Sequence, residues 1–357
     1  MSVETDFAGH VSTESAGPLM PLAPEAATQQ EAGAPSSEAC PTPLGWAEVL
    51  ESFRAESTPW TVDVGGSLLQ GRTLGHGQPL YFLNGISGNC ELFCLLAWLL
   101  RDQYRCVLFD YRDCDSHAAS GASAKSKRLT VERLADDLLA VADAQHDSTF
   151  CVFAAPFGSL IALAALADHT ERIERAILLG GFARRRLSRV ERTLCRLGQL
   201  LPGDLSRVPL RSTLQVASHQ RAFPPFDYSR WGFFTANTNQ TSIRDLADRA
   251  RLMDRTDLRG RLSHVERPVL LLRTEHEGAV SAAGEDELAR ELPRATSESL
   301  PLAGQLAYLT HPHRVAKAVR SFLGETTFEP RPACEALGLD NSCGADHKDE
   351  SHDRRSA

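Results

Sequence analysis

Residues 151–168 read CVFAAPFGSLIALAALAD. The first half, Phe150 to Ala154, is a short apolar run without polar alternation, the pattern of a strand covered on both faces. The second half, from Ser159 to Asp168, is rich in Ala and Leu and long enough for a helix. Between them lies a bend of small residues around Pro156, Ala154-Ala155-Pro156-Phe157-Gly158. A buried strand that turns directly into a helix is half of a βαβ unit.

Outward from this segment the same alternation recurs. Strand-like runs fall at Leu80–Leu83, Cys106–Phe109, Ala176–Leu179 and Val269–Leu272, and helical stretches at Glu91–Asp102, Thr130–Gln145, Gly284–Glu291 and His313–Phe322. Such alternation predicts an α/β fold, a mostly parallel central sheet flanked by helices and joined by right-handed crossovers. One segment breaks the rhythm. Residues 184–256 contain helical patterns, several prolines and clustered aromatics including Trp231 and Phe233, but no convincing strand. They are expected to form a helical lid over the carboxyl ends of the strands, where ligands bind in such sheets, with Trp231 and Phe233 as pocket candidates. Its first helix is amphipathic. Leu187, Val190, Leu194, Leu197 and Leu201 follow helical spacing on one face, while Arg185, Arg189, Arg192 and Arg196 line another that could receive a protein partner.

The ends differ in composition. Residues 1–43 hold six acids and no base, and residues 325–357 hold eight acids against four bases; both are poor in large apolar groups and are expected to be disordered. The expected organisation is therefore a core of 44–183 and 257–324, a lid of 184–256 and two loose ends. Of the net charge of −8, the ends carry −10, which leaves the body at +2. The acidity belongs to the ends and says nothing about a substrate, and no nucleic-acid partner is expected. No apolar run approaches the roughly 18 residues of a spanning helix, so no membrane partner is expected. Residues 1–11 carry acids and no Lys or Arg, the reverse of a secretory leader, so a cytoplasmic location is expected. Nine cysteines form no CxxC pair and no zinc spacing, and no metal or other cofactor is implied.

The ordered segments together resemble the α/β-hydrolase superfamily over residues 59–324. Pro79-Leu80-Tyr81-Phe82-Leu83-Asn84-Gly85 is similar to the strand that leads into the family's oxyanion loop, and Asp110-Tyr111-Arg112 to the start of its D-x-R-G turn. Residues 151–168 align with the strand, nucleophile elbow and helix. Glu275-His276-Glu277 and Leu302-Ala303-Gly304-Gln305-Leu306 align with the loops of the catalytic acid and histidine. An active member needs a G-x-S-x-G elbow. Here the resemblance places Pro156 at the nucleophile position, Glu277 at the acid position and Gln305 at the histidine position. An amide cannot take a proton near neutral pH, and proline has no hydroxyl and fixes φ near −65°. The elbow is therefore expected to be relaxed. Backbone N–H groups of Ile86 and Phe157 remain available as oxyanion-type donors.

The resemblance thus implies a hydrolase-fold protein that has lost Ser-His-Asp chemistry and binds a small apolar, acyl or carbonyl ligand, or a protein partner. The alternative is an active ester or thioester hydrolase, or related lyase, with a displaced nucleophile, motivated by Ser87 and Cys90 together with His276 and Glu277 as base and acid. Ser159, the nearest hydroxyl to the bend, is expected to cap the helix instead. His311 and His313 are expected at a solvated helix end.

Overall fold

The computed structural model describes residues 45–112, 129–208, 223, 227–274 and 279–324, the side chains of 279–281 excepted. All of them belong to one compact unit, Leu44–Ala357. Eight strands form one sheet in the order β1-β2-β4-β3-β5-β6-β7-β8. These are β1 Thr58–Val64, β2 Ser67–Leu74, β3 Gln78–Leu83, β4 Tyr104–Phe109, β5 Phe150–Ala154, β6 Ile173–Leu179, β7 Val269–Thr274 and β8 Ala295–Leu300. From β4 to β8 every pairing is parallel, while β1 and β2 add an antiparallel hairpin at one edge. The expected α/β class and mostly parallel sheet are present.

The alternation of side chains along the central strands explains why they read as continuous apolar runs. Tyr81, Leu83, Val107, Phe109, Val152, Ala154, Leu178 and Leu271 enter the core on one face of the sheet. Their neighbours Leu80, Phe82, Cys106, Leu108, Phe153, Leu179 and Leu272 enter the core on the other. Helices cover both cores. They include α1 Trp46–Glu56, α2 Cys94–Leu100, α3 Val131–Ala144 and α4 Pro156–Asp168. Helix α4 is apolar all round and buried from Phe157 to Leu166, so it behaves as a core element.

Between β6 and β7 the chain leaves the sheet for an insertion whose described helices are α5 Arg189–Gly198, α6 Tyr228–Asn239 and α7 Ile243–Arg255. Its two ends meet. Arg184 and Asp257 form an antiparallel bridge, and the Leu258 N–H donates to the Ala183 carbonyl at 3.0 Å. After β7 come α8 Ala279–Glu291, β8, the short α9 Ala307–Thr310 and α10 Pro312–Gly324. Among the described residues no helix is long and apolar enough to cross a membrane.

Candidate functional site

The parallel strands β3, β5 and β6 deliver three loops to the same end of the sheet. At the end of β5 the chain passes through Ala155, in extended backbone (φ −72°, ψ 173°), straight into α4, with Pro156 as its first residue. Extended geometry is what a residue before proline prefers, and φ near −65° suits the first position of a helix. Among the described residues the non-glycine residues with left-handed φ are His146 and Leu302, so the bend at Pro156 is relaxed as expected. The helix is pressed against β3. A methyl on Gly158 would stand 2.6 Å from the Leu83 carbonyl oxygen, which is why this position takes glycine.

Ser159 is fully buried and does not cap the helix; Ala155 holds that position. Its hydroxyl donates to the Pro156 carbonyl at 2.6 Å and accepts from the Phe182 N–H at 3.3 Å. The expectation of a cap fails because the helix begins one turn earlier, at a proline whose missing N–H is no loss there. Both hydrogen-bonding directions of Ser159 are engaged inside the fold.

The loop after β6 turns at Gly180, with φ +66°. A Cβ on Gly180 would meet Pro156 Cγ at 3.4 Å and Gln305 Cγ at 3.9 Å. The fold therefore brings Pro156 and Gln305 to the same place from distant segments. Glu277, with Glu275 and His276, lies outside the described residues.

The loop after β3 is fixed at both ends. The Asn84 amide donates to the Phe109 carbonyl at 3.1 Å, and the Tyr111 hydroxyl donates to the Asn84 carbonyl at 2.8 Å. The Asp110 carboxylate receives the Cys90 N–H at 2.7 Å. Ile86 follows in this loop. Phe157 sits at the second position of α4, where an N–H has no partner four residues back within the helix. The Phe157 ring meets Tyr111 edge-on at 5.6 Å.

The insertion reaches down to the loop after β3. Asn237 accepts from the Asn89 N–H at 2.9 Å and donates to its side chain at 2.6 Å, and Thr241 accepts from the Gly88 N–H at 2.8 Å. Arg249 donates to the Ile86 carbonyl at 3.3 Å with its guanidinium 5.4 Å from the Tyr111 ring. On the other side Arg230 donates to the carbonyls of Leu309 and Thr310, just past the Gln305 turn. Under these contacts lies a polar cleft of about 410 Å³ lined by Asp110, Tyr111, Asn237, Thr241, Asp245 and Arg249, among others. Arg249 is 6% exposed, and its Nε has no hydrogen-bond partner among the described residues. This cleft is lined mainly by polar side chains. Trp231 does not line it and packs among Phe223 and Phe234, while Phe233 packs on Trp46.

Sequence reading missed Asn237, Thr241, Arg230 and Arg249. Polar residues on a helix are ordinarily solvated, and no motif marks these. The ionisation of the nearby thiols is informative too. Burial, reinforced by the Asp110 and Glu91 charges, holds Cys90 well above the ordinary thiol range, and burial pushes Cys94 up to about 12. Neither is a thiolate at neutral pH. His311 is pushed below the usual histidine value by burial and by Arg314 and Arg230, and its Nδ1 lies 2.9 Å from the Thr310 hydroxyl. It therefore sits half-buried between α9 and α10 rather than at a fully solvated helix end. Among the described residues no three His, Cys, Asp or Glu side chains gather closely enough to hold a metal ion.

This order of strands, bend and inserted helices has known counterparts. Residues 78–312, more than half of the chain, match the sequence model of the family described as alpha/beta hydrolase fold. The chain belongs to the α/β hydrolase fold family. Among curated members, the pyrrolizixenacetamide deacetylase of Xenorhabdus hominickii is similar, at 25% identity over 257 residues, covering 70% of this chain and 92% of that protein. Solved structures of the family superpose on it as well. A hydrolase from Pseudomonas aeruginosa PA01 gives a TM-score of 0.63 at 23% identity, covering 75% of this chain and 99% of the other. The enol-lactonase of Burkholderia xenovorans LB400 gives 0.60 at 21%, covering 74% and 100%.

Proposed function

We propose that this α/β hydrolase fold protein has lost serine-hydrolase chemistry and binds, without cleaving it, a small ligand bearing an acyl or carbonyl group. The observation that carries this reading is the bend at Pro156. A nucleophile there would need a hydroxyl or thiol on a strained turn, and the chain supplies a ring with neither, on an unstrained one. The nearest hydroxyl, Ser159, is buried and engaged in both directions. Gln305, which meets Pro156 at Gly180, has no basic nitrogen. For binding, the polar cleft sets two donors, the half-satisfied guanidinium of Arg249 and the Thr241 hydroxyl, beside the acidic side chains of Asp110 and Asp245, a setting that suits a neutral carbonyl better than a carboxylate.

The test is labelling of the full chain with a fluorophosphonate probe, alongside hydrolysis of a panel of p-nitrophenyl acyl esters and acyl thioesters. No labelling and no turnover above background are expected. A labelled serine, identified by mass spectrometry, would overturn the reading.

The second reading, an active hydrolase with a displaced nucleophile, draws on the likeness to a deacetylase along 92% of that protein. Of its candidates, Cys90 is a buried, protonated thiol, which argues against a thiolate mechanism. It leaves Ser87 with His276 and Glu277, and ester turnover abolished by Ser87→Ala would favour it.

A further inference from the structure

Helix α5 is amphipathic, yet its apolar stripe is turned outward. The helix packs on α7 through its other side. A methyl on Gly198 would stand 3.3 Å from Ala247 Cβ, Cys195 is half-buried against the core, and Arg192 pairs with Asp254 at 2.8 Å. Val190, Leu194, Leu197 and Leu201, one face by their spacing, are 69%, 61%, 54% and 51% exposed, and Leu200 is 77% exposed. These five are most of the eight large apolar side chains exposed among the described residues. A contiguous apolar stripe left in water marks an interaction surface.

Charge narrows what that surface meets. Residues 184–207 hold seven arginines, Arg184, Arg185, Arg186, Arg189, Arg192, Arg196 and Arg207, against two acids, Glu191 and Asp204. Arg192 is held by Asp254 and Arg184 by Asp257, and Glu191 caps the start of the helix through Ser188. Arg189 and Arg196, seven residues apart and both exposed, border the stripe along one flank, with Arg185 and Arg186 exposed just before the helix. The surface is thus leucine and valine edged by arginine. Protein docking sites concentrate their energy in Trp, Tyr and Arg anchors, with Leu and Val under-represented; this stripe carries no aromatic. A Leu-rich stripe with a basic border is the composition of a helix lying in a membrane interface, where apolar burial and attraction to anionic headgroups add.

We propose that α5, extended through Leu200 and Leu201, is an interfacial anchor that seats its Val/Leu stripe in an anionic phospholipid surface, with Arg189 and Arg196 against lipid phosphates. The expectation of no membrane partner rested on the lack of a spanning run, and a helix that lies in the interface needs none. The proposal does not depend on whether the Pro156 site has activity.

The experiment is co-sedimentation of the full chain with vesicles of phosphatidylcholine alone and of phosphatidylcholine mixed with phosphatidylglycerol. Binding to the anionic vesicles, falling as salt rises, is expected, with at least about tenfold weaker binding to phosphatidylcholine alone. Leu194→Ser/Leu197→Ser should lower anionic-vesicle binding about tenfold or more. Arg189→Glu/Arg196→Glu should weaken it and flatten its salt dependence. Since all four side chains are exposed, both variants should melt at the wild-type temperature, measured in parallel. Absence of vesicle binding, or binding untouched by the leucine substitutions, overturns the proposal. So does dimerisation in light scattering that the leucine variant abolishes while vesicles recover no protein, which would make the stripe a contact between two copies.

Discussion

Removal of the Asp137 carboxylate is expected to be among the costliest single changes in this fold. Arg112, two residues after Asp110 on the chain leaving β4, is 5% exposed and makes a two-pronged contact with Asp137 of α3. Its remaining terminal nitrogen donates to the Ser67 hydroxyl at 2.9 Å, at the start of β2. Asp137 and Ser67 are buried as well. Asp137→Ala would leave a guanidinium out of water with one neutral partner, and breaking a buried pair from one side costs about 3–5 kcal/mol. Set against the usual 5–15 kcal/mol of a whole domain, that is about a fifth of the stability or more. Urea unfolding followed by circular dichroism should show the midpoint falling accordingly at unchanged slope. Replacing both partners, Arg112→Met/Asp137→Leu, removes the stranded charge together with the pair and should cost under about 1 kcal/mol, or stabilise. A loss under about 1 kcal/mol for Asp137→Ala, or a double variant as unstable as the single one, would refute this account of the contact.

Pro156→Ser should give no fluorophosphonate labelling and cost about 0.4–1 kcal/mol through the freer unfolded chain, read from thermal melts; probe capture at residue 156 would show the bend able to present a nucleophile. Cys90 should remain unmodified by iodoacetamide in the native chain at neutral pH, because burial and Asp110 keep its thiol protonated, and react only on unfolding; peptide mass spectrometry reads both states. His311, lowered by burial and neighbouring arginines, should titrate below about 6.5 by NMR. Between its folded value and about 6.5 the unfolded chain binds more protons, so the His311 contribution is complete above that window and is lost as pH falls through it; His311→Gln should flatten this part of the stability profile.

What could be read from the sequence follows from what each pattern encodes. The central strands β3 to β7 were legible because burial on both faces leaves an unbroken apolar run. The hairpin β1–β2 and the edge strand β8 were not. No residue of β1 is buried, each being exposed or half-buried, and only Leu300 of Ala295–Leu300 is buried. Helix α1 was missed because it lies before the first βα alternation. At the site, Pro156 and Gln305 were legible by their order along the chain, and their meeting at Gly180 needed coordinates. Arg249 and Asn237 were not legible, because polarity on a helix does not tell a clamp from a solvated face. Helix α5 shows the converse. Period 3.6 locates an apolar stripe but not the side of the molecule to which it is turned.

The proline at the bend is locally favourable, and this bears on how the proposed loss of chemistry is held in place. A residue kept in a sparsely populated backbone region stores about 1–3 kcal/mol that the surrounding fold must offset. Here Ala155 is extended, Pro156 supplies a preset φ to the first turn, and the left-handed geometry falls to Gly180, where it costs little. Ser159 then ties the first turn to the loop after β6 through the Phe182 N–H. Each of these choices favours the relaxed bend on its own. Together they mean that a hydroxyl placed at position 156 would meet a helix start already satisfied in its relaxed form. Nothing in the contacts around it would recover the tension that an exposed nucleophile requires. The loops that Asn237, Thr241 and Arg249 hold do not depend on that tension. The cleft can therefore keep its shape while the bend does no chemistry, which is the physical reason that binding without turnover is a self-consistent state for this fold.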